Sequence, residues 1–149
     1  MVIREVMTDE VVTAAAERTV REIAELMRER NVGSVVIVDG DRPVGVVTDR
    51  DLALSVIADG RDFGDRVADH ASSPVITAEP AMAVEEAAEL MVRHGVRRLV
   101  VLDAERLTGI VTLDDLSSRT GDAELASQLS ARVTRAVMPD FFFHERGGG

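Results

Sequence analysis

The chain has 149 residues and a mass of 16.1 kDa, 46% of it apolar, with 17 basic side chains against 27 acidic ones and a net charge of −10. A chain this long buries roughly two-thirds of its unfolded surface and needs no covalent staple. The absence of Cys excludes a disulfide framework, a thiol nucleophile and a zinc ribbon together. Every basic residue is Arg, which removes Schiff-base and phosphate-loop lysine chemistry, and the acidic balance argues against a nucleic-acid partner.

In chain order, Met1–Glu5 lacks the basic start and apolar stretch of a signal peptide, and no apolar run approaches the ~20 residues of a membrane span. A soluble, cytoplasmic protein is expected. Its acid-rich, Lys-free composition suits either a salt-loving source or a GC-rich genome. Val11-Val12-Thr13 reads as a short leading strand. Thr19-x-x-Glu22 is a capping box, and Val20, Ile23, Ala24 and Met27 form one apolar helical stripe. Asn31 sits where a left-handed C-terminal cap is wanted. Val35–Val38 reads as a strand buried on both faces, Asp39-Gly40 as a tight turn, and Val44–Thr48 as the returning strand. A helix follows from Asp49 to about Ile57, and Ala58–Ser73 is a Gly-, Asp- and Ser-rich connection. Val75-Ile76-Thr77 then leads a second series. Its helix stripe is Val84, Ala87, Ala88 and Met91, with Ala83 as a weaker cap and Gly95 at the C-terminal cap. Beyond Ser118, Asp122 could cap a further helix to about Met138, with Leu125, Ala126, Leu129, Val133 and Val137 near one face and Pro139 as its stop. Phe141-Phe142-Phe143 suggests packing across a subunit boundary, packing on its own domain, or a disordered end, with Gly147–Gly149 expected to be mobile.

The two series are one series twice. Displaced by 64 residues, Thr13–Leu52 lies over Thr77–Leu116 without a gap, and 17 of the 40 pairs are identical. A strand–helix–strand–strand–helix unit of about 50 residues is marginal alone, whereas two units related by a pseudo-two-fold axis could bury each other's apolar faces. The expected class is mixed α/β (α+β), with a first repeat over 1–60, a second over 61–120, and a C-terminal helix and tail over 121–149.

The sharpest repeated element is Gly45-Val46-Val47-Thr48-Asp49-Arg50-Asp51, whose twin is Gly109-Ile110-Val111-Thr112-Leu113-Asp114-Asp115. It stands at a strand-to-helix junction and supports two readings. In the first, Thr48 and Thr112 are N-caps and Asp51 and Asp115 are first-turn acids favoured by the helix dipole. In the second, the helix N-terminus and threonine hydroxyl meet a phosphate, the carboxylate grips a ribose diol, and Gly45 and Gly109 let a ligand approach the backbone. Phosphate-loop spacing at Gly40 and Gly45 fails because Val46 stands where the lysine is required.

The two copies resemble CBS domains, the cystathionine-β-synthase type, and the pair resembles a tandem CBS, or Bateman, module. The likeness rests on Val6-Met7-Thr8 with Val11-Val12-Thr13, the helix ends, the strands Val36–Asp39 and Val100–Asp103, and the duplicated G-h-h-T-x-x-D motif. It covers about Val2–Ser118. The resemblance implies a non-enzymatic module that binds AMP, ADP, ATP or an S-adenosylmethionine relative in clefts between the repeats and dimerises into a disk. It implies that Asp51 and Asp115 hold ribose and that Thr48 and Thr112 contact phosphate. Adenine would lie near Val12-Thr13 and Ile76-Thr77.

The copies also differ. Arg97-Arg98 replaces Gly33-Ser34, and in the resembling family basic residues here reach phosphate; a solvated or carboxylate-paired role is the alternative. Arg50, close behind Thr48, is a further phosphate candidate, at one site only. The two sites should therefore differ in affinity for charged nucleotides. Ala71, preceded by His70, stands where the family has Met, which puts the packing of that segment in doubt. His70, His94 and His144 are far apart, so no metal site is expected, and no catalytic Ser/His/Asp constellation is suggested. The sequence reads as a regulatory adenosine-ligand module acting on a separate, unidentified protein, with no nucleic-acid or membrane partner. A structural or interaction pair without bound nucleotide is the alternative.

Overall fold

The computed structural model describes residues 1–121 together with Ala123, Glu124, Ser127, Gln128, Ala131 and Arg132. It is a mixed α+β fold in which each repeat builds a three-stranded sheet carrying two helical segments. The first has β1 (Thr13–Ala15), α1 (Val20–Arg30), β2 (Ser34–Asp39), β3 (Arg42–Thr48) and α2 (Asp49–Asp51), which runs into a π-wound segment, Leu52–Ala58. The second has β4 (Thr77–Ala78), α3 (Val84–His94), β5 (Arg98–Asp103), β6 (Arg106–Thr112) and α4 (Leu113–Arg119).

The sheet orders are β1-β2-β3 and β4-β5-β6. The middle strand of each is covered on both faces, so Val35, Val36 and Ile37, like Leu99, Val100 and Val101, are all buried. The leading strands pair in parallel, Thr13 with Val36 and Thr77 with Val100, at equivalent registers. Both begin two residues later than the hydrophobic run suggests, because the residues that find a ladder partner start at Thr13 and Thr77 rather than at Val11 and Val75.

Helix α1 begins as its sequence dictates. Glu22 N–H donates to Thr19 Oγ1 at 3.1 Å, and Thr19 N–H donates to Glu22 Oε1 at 3.2 Å. This backbone donation chiefly holds the Glu22 carboxyl below the ordinary glutamate range; desolvation opposes it, and the Thr19 hydroxyl and the Arg18 guanidinium, 2.7 Å from Oε2, add to it. Helix α3 starts at Ala83 with no side-chain cap. Both helices end in the left-handed conformation expected of them, at Asn31 (φ 53°) and Gly95 (φ 62°).

The chain divides into two compact units that do not follow sequence order. One holds Asp9–Val75 with Leu102–Gly109; the other holds Met1–Thr8, Ile76–Val101 and the described residues from Ile110. The N-terminal 3-10 turn Ile3–Glu5 thus belongs with the second repeat. Ile3 and Val6, both fully buried, join a core of Val84, Met91, Leu99 and Leu116. Its repeat counterpart, the 3-10 turn Val67–Asp69, belongs with the first repeat, where Val67 joins Val20, Ile23, Val35 and Val47. Each repeat closes its core with the turn that precedes the other repeat in sequence.

Beyond α4, Ala123, Glu124, Ser127, Gln128, Ala131 and Arg132 are helical, and Arg132 meets Glu89 of α3 at 2.8 Å. The expected cap Asp122, the apolar face of Leu125, Ala126, Leu129, Val133 and Val137, and Pro139 to Gly149 lie outside the described residues.

Two outcomes follow from the caps. Ala83→Ser completes a capping box with Glu86 and stabilises the protein by about 1 kcal/mol in chemical denaturation. Glu22 contributes stability that is complete above the ordinary glutamate range and is lost as pH falls through its lowered value. Glu22→Gln therefore flattens the acid limb of the stability–pH curve, measured by melting in an acid series.

Candidate ligand site

Each G-h-h-T-x-x-D segment builds the same helix entrance. Thr48 ends β3 in an extended conformation (φ −116°, ψ 164°) and Thr112 ends β6 likewise (φ −113°, ψ 165°). Asp51 N–H donates to Thr48 Oγ1 at 3.1 Å, and Asp51 Oδ2 accepts from Thr48 N–H at 2.9 Å. Thr112 and Asp115 repeat both distances, 3.1 and 2.9 Å. The capping reading of this motif is realised in both copies. It uses one carboxylate oxygen. The other, Asp51 Oδ1, makes no hydrogen bond among the described residues, and Asp115 Oδ1 faces Arg119 Nε at 3.6 Å.

The start of the middle strand is tied to this entrance. Asp49 N–H donates to Gly33 O at 3.0 Å, and Leu113 N–H donates to Arg97 O at 2.9 Å. Arg97 and Arg98 therefore adjoin the Thr112–Asp115 entrance. Arg97 is exposed; Arg98 is half-buried, and its Nε is buried without a hydrogen-bond partner among the described residues. At the first entrance the equivalent space holds a carboxylate instead, since a Cβ on Gly33 would lie 3.2 Å from Asp49 Oδ2. Arg50 is exposed there, with its N–H on Asp49 Oδ1 at 2.8 Å. The two entrances share a cap and differ in charge.

Val12 O accepts from Val36 N–H at 2.9 Å and Ile76 O from Val100 N–H at 3.0 Å. In a parallel ladder alternate residues point to the neighbour, so the backbone groups of Thr13 and Thr77 point to the open sheet edge. Both threonines are exposed, while Val12 and Ile76 are half-buried. Gly45 and Gly109 are buried. What approaches Gly45 is the chain's own linker: an added Cβ would lie 3.1 Å from both Ala71 Cβ and Ser72 O. Val46 and Ser72 exchange backbone hydrogen bonds of 3.1 and 2.9 Å, and Ile110 and Thr8 do the same at 2.9 Å. The segment at Ala71, whose packing the sequence left in doubt, is thus docked on the first repeat.

Sequence reasoning missed one cluster. His70 Nδ1 lies 3.0 Å from Ser55 Oγ, and His70 Nε2 lies 3.0 Å from Asp65 Oδ2. Ser55 Oγ donates to Asp51 O at 2.6 Å. A Ser/His/Asp contact is therefore present where none was expected, but the hydroxyl proton is directed to a backbone carbonyl. The signal available in the sequence was a histidine in place of buried Val6, which asks for polar company. Among the described residues no three His, Cys, Asp or Glu side chains gather as a metal site, and no helix is long and apolar enough to cross a membrane.

The model of the family described as CBS domain matches residues 3–57 and 67–120. The chain belongs to the CBS-domain family. It is 38% identical over 132 residues to the CBS domain-containing protein YhcV of Bacillus subtilis, covering 89% of this chain and 94% of that one. Among solved structures, CBS domain protein PAE2072 from Pyrobaculum aerophilum, complexed with AMP, is similar at 29% identity with a TM-score of 0.73, over 88% of this chain and 99% of that one. A conserved protein from Pyrococcus horikoshii is similar at 27% identity with a TM-score of 0.73, over 81% and 92%. The matches support a ligand-binding regulatory module of paired CBS domains.

Because each aspartate is half of a cap, its removal has two effects. Asp51→Ala and Asp115→Ala each cost about 1 kcal/mol of stability. Asn at either position keeps an acceptor for the threonine N–H and melts within about 2 °C of the parent.

Proposed function

We propose that this chain is a non-enzymatic sensor of an adenosine-containing ligand of the AMP, ADP or ATP kind. Ligand binds at the two helix entrances. Asp51 and Asp115 take ribose hydroxyls, Thr48 and Thr112 and the helix N-terminus face phosphate, and adenine lies against the leading strands at Val12-Thr13 and Ile76-Thr77. The observation that carries this reading is the Oδ1 of Asp51, an acceptor fixed in direction by the cap and left without a partner among the described residues. The AMP complex of the Pyrobaculum relative supports the choice of ligand class.

Charge separates the two sites in this reading. Arg97 and Arg98 at the second entrance favour the more phosphorylated ligands. The Asp49 carboxylate at the first disfavours them, with Arg50 as its partial offset. Charge-assisted hydrogen bonds contribute about 1.5–3 kcal/mol each, enough to separate the affinities by tenfold or more. The module acts as a cytoplasmic homodimer on a separate protein, and ligand shifts its packing only through differential affinity for two arrangements. The completeness of both caps without ligand favours, as a second reading, a structural or interaction pair.

Thermal shift with adenosine, AMP, ADP, ATP and S-adenosylmethionine separates these readings. A ligand at 100 times its dissociation constant adds about 2.7 kcal/mol. Asp51→Asn lowers affinity at one site about tenfold or more without lowering melting. The double variant Arg97→Ala/Arg98→Ala weakens ATP more than adenosine. No stabilisation by any of the five ligands would leave the structural reading in place.

A further inference from the structure

The His70 side chain is buried, only 4% of it exposed, and it occupies the place that Val6 fills in the other repeat. Both ring nitrogens are engaged. Asp65, on the Nε2 side, is a carboxylate that only accepts, and Arg61 Nε stands 3.4 Å behind it. Ser55, on the Nδ1 side, belongs to the π-wound segment after Asp51. Its hydroxyl has one proton, and the Asp51 carbonyl, 2.6 Å away, can only accept it. While Ser55 donates to Asp51, it offers His70 only lone pairs. Every partner is then satisfied by a ring protonated at both nitrogens. When the ring loses one proton, the Asp65 carboxylate retains Nε2–H. Nδ1 becomes an acceptor and draws the Ser55 proton, and the Asp51 carbonyl loses the Ser55 hydrogen bond.

The second repeat solves the same problem with a fixed charge. Arg119, the counterpart of Ser55, donates to Val6 O at 3.3 Å and Met7 O at 3.4 Å and faces Asp115 Oδ1 at 3.6 Å. Both repeats thus brace the entrance aspartate against a docked turn, one through a guanidinium and one through an imidazole.

We propose that His70 is a positioning residue for the first entrance: its proton decides whether Ser55 holds the Asp51 peptide, and so sets the affinity of Asp51 for the ribose of an adenosine ligand. The proposal rests on the ligand reading of Asp51 given above.

The test uses the full chain as wild type, His70→Val and Ser55→Ala, with adenosine as probe because it has no titrating phosphate. Affinity, and amide exchange over 49–58 without ligand corrected for intrinsic rates, are measured at about pH 5.5 and about pH 8.5. His70→Val supplies the counterpart residue and leaves Ser55 on Asp51 at every pH; Ser55→Ala removes the hold at every pH. At low pH the wild type should match His70→Val. At high pH its affinity should fall, and its exchange rise, about threefold or more, approaching Ser55→Ala. Neither variant should show the step. A wild type without the step in exchange, or a step that survives in Ser55→Ala, overturns the proposal; these two proteins decide it even if His70→Val does not fold. A step in exchange with no adenosine binding upholds the coupling and refutes the ligand reading. Adenosine binding lost in Asp51→Asn yet unaltered by pH in the wild type refutes the coupling alone.

Discussion

The Thr48 hydroxyl accepts the Asp51 amide while the Asp51 carboxylate accepts the Thr48 amide, and Thr112 and Asp115 make the same exchange at the same distances. This reciprocal pair leaves no loop between strand and helix. The strand ends on the threonine, the helix begins on the next residue, and the first helical N–H returns to the start of the middle strand at Gly33 or Arg97. Strand, helix and side chain are thus fixed together. One carboxylate oxygen is spent on the backbone, and the direction of the second follows from the first. A ligand group that meets such an oxygen does not have to order it, which lowers the cost of binding. In the proposed reading, cap and ligand site are two uses of one arrangement.

The same segments show what was legible in the sequence. The capping boxes, the left-handed caps at Asn31 and Gly95, the doubly covered middle strands and the duplication are local patterns, and each is set by neighbours within a few residues. The departures come from contacts between residues distant in sequence. Gly45 reads as an opening for a ligand until Ala71 and Ser72 are seen against it. Ile3 and Val67 fall by sequence order within 1–60 and 61–120, yet Ile3 joins the core of the second repeat and Val67 that of the first. The segment after Asp51 reads as an ordinary helix, but Leu52–Ala58 is π-wound where the equivalent Leu116–Arg119 of α4 is regular. The difference falls where Ser55 replaces Arg119 and where His70 replaces Val6. A lone histidine with partners 5 and 15 residues away carries no periodic signature.

Duplication makes these differences interpretable. Two copies under one constraint should keep whatever their common chemistry needs and drift where their tasks diverge. The entrance itself is kept: threonine, aspartate, glycine and both hydrogen-bond lengths. The neighbours are not. Gly33 against Arg97, Asp49 against Leu113 and Ser55 against Arg119 all lie within a few residues of the entrance, and each changes charge or polarity. In the proposed reading, the shared part recognises what all the ligands have in common, the sugar, and the divergent part recognises what distinguishes them, the phosphate chain. The braces divide along the same line. Arg119 joins Asp115 to a turn through its guanidinium, while His70 reaches Asp51 through a hydroxyl whose single proton must choose between two acceptors. In the proposed coupling, one entrance holds a constant geometry and the other changes its grip when a proton leaves. The pair can report two variables where a symmetric pair would report one.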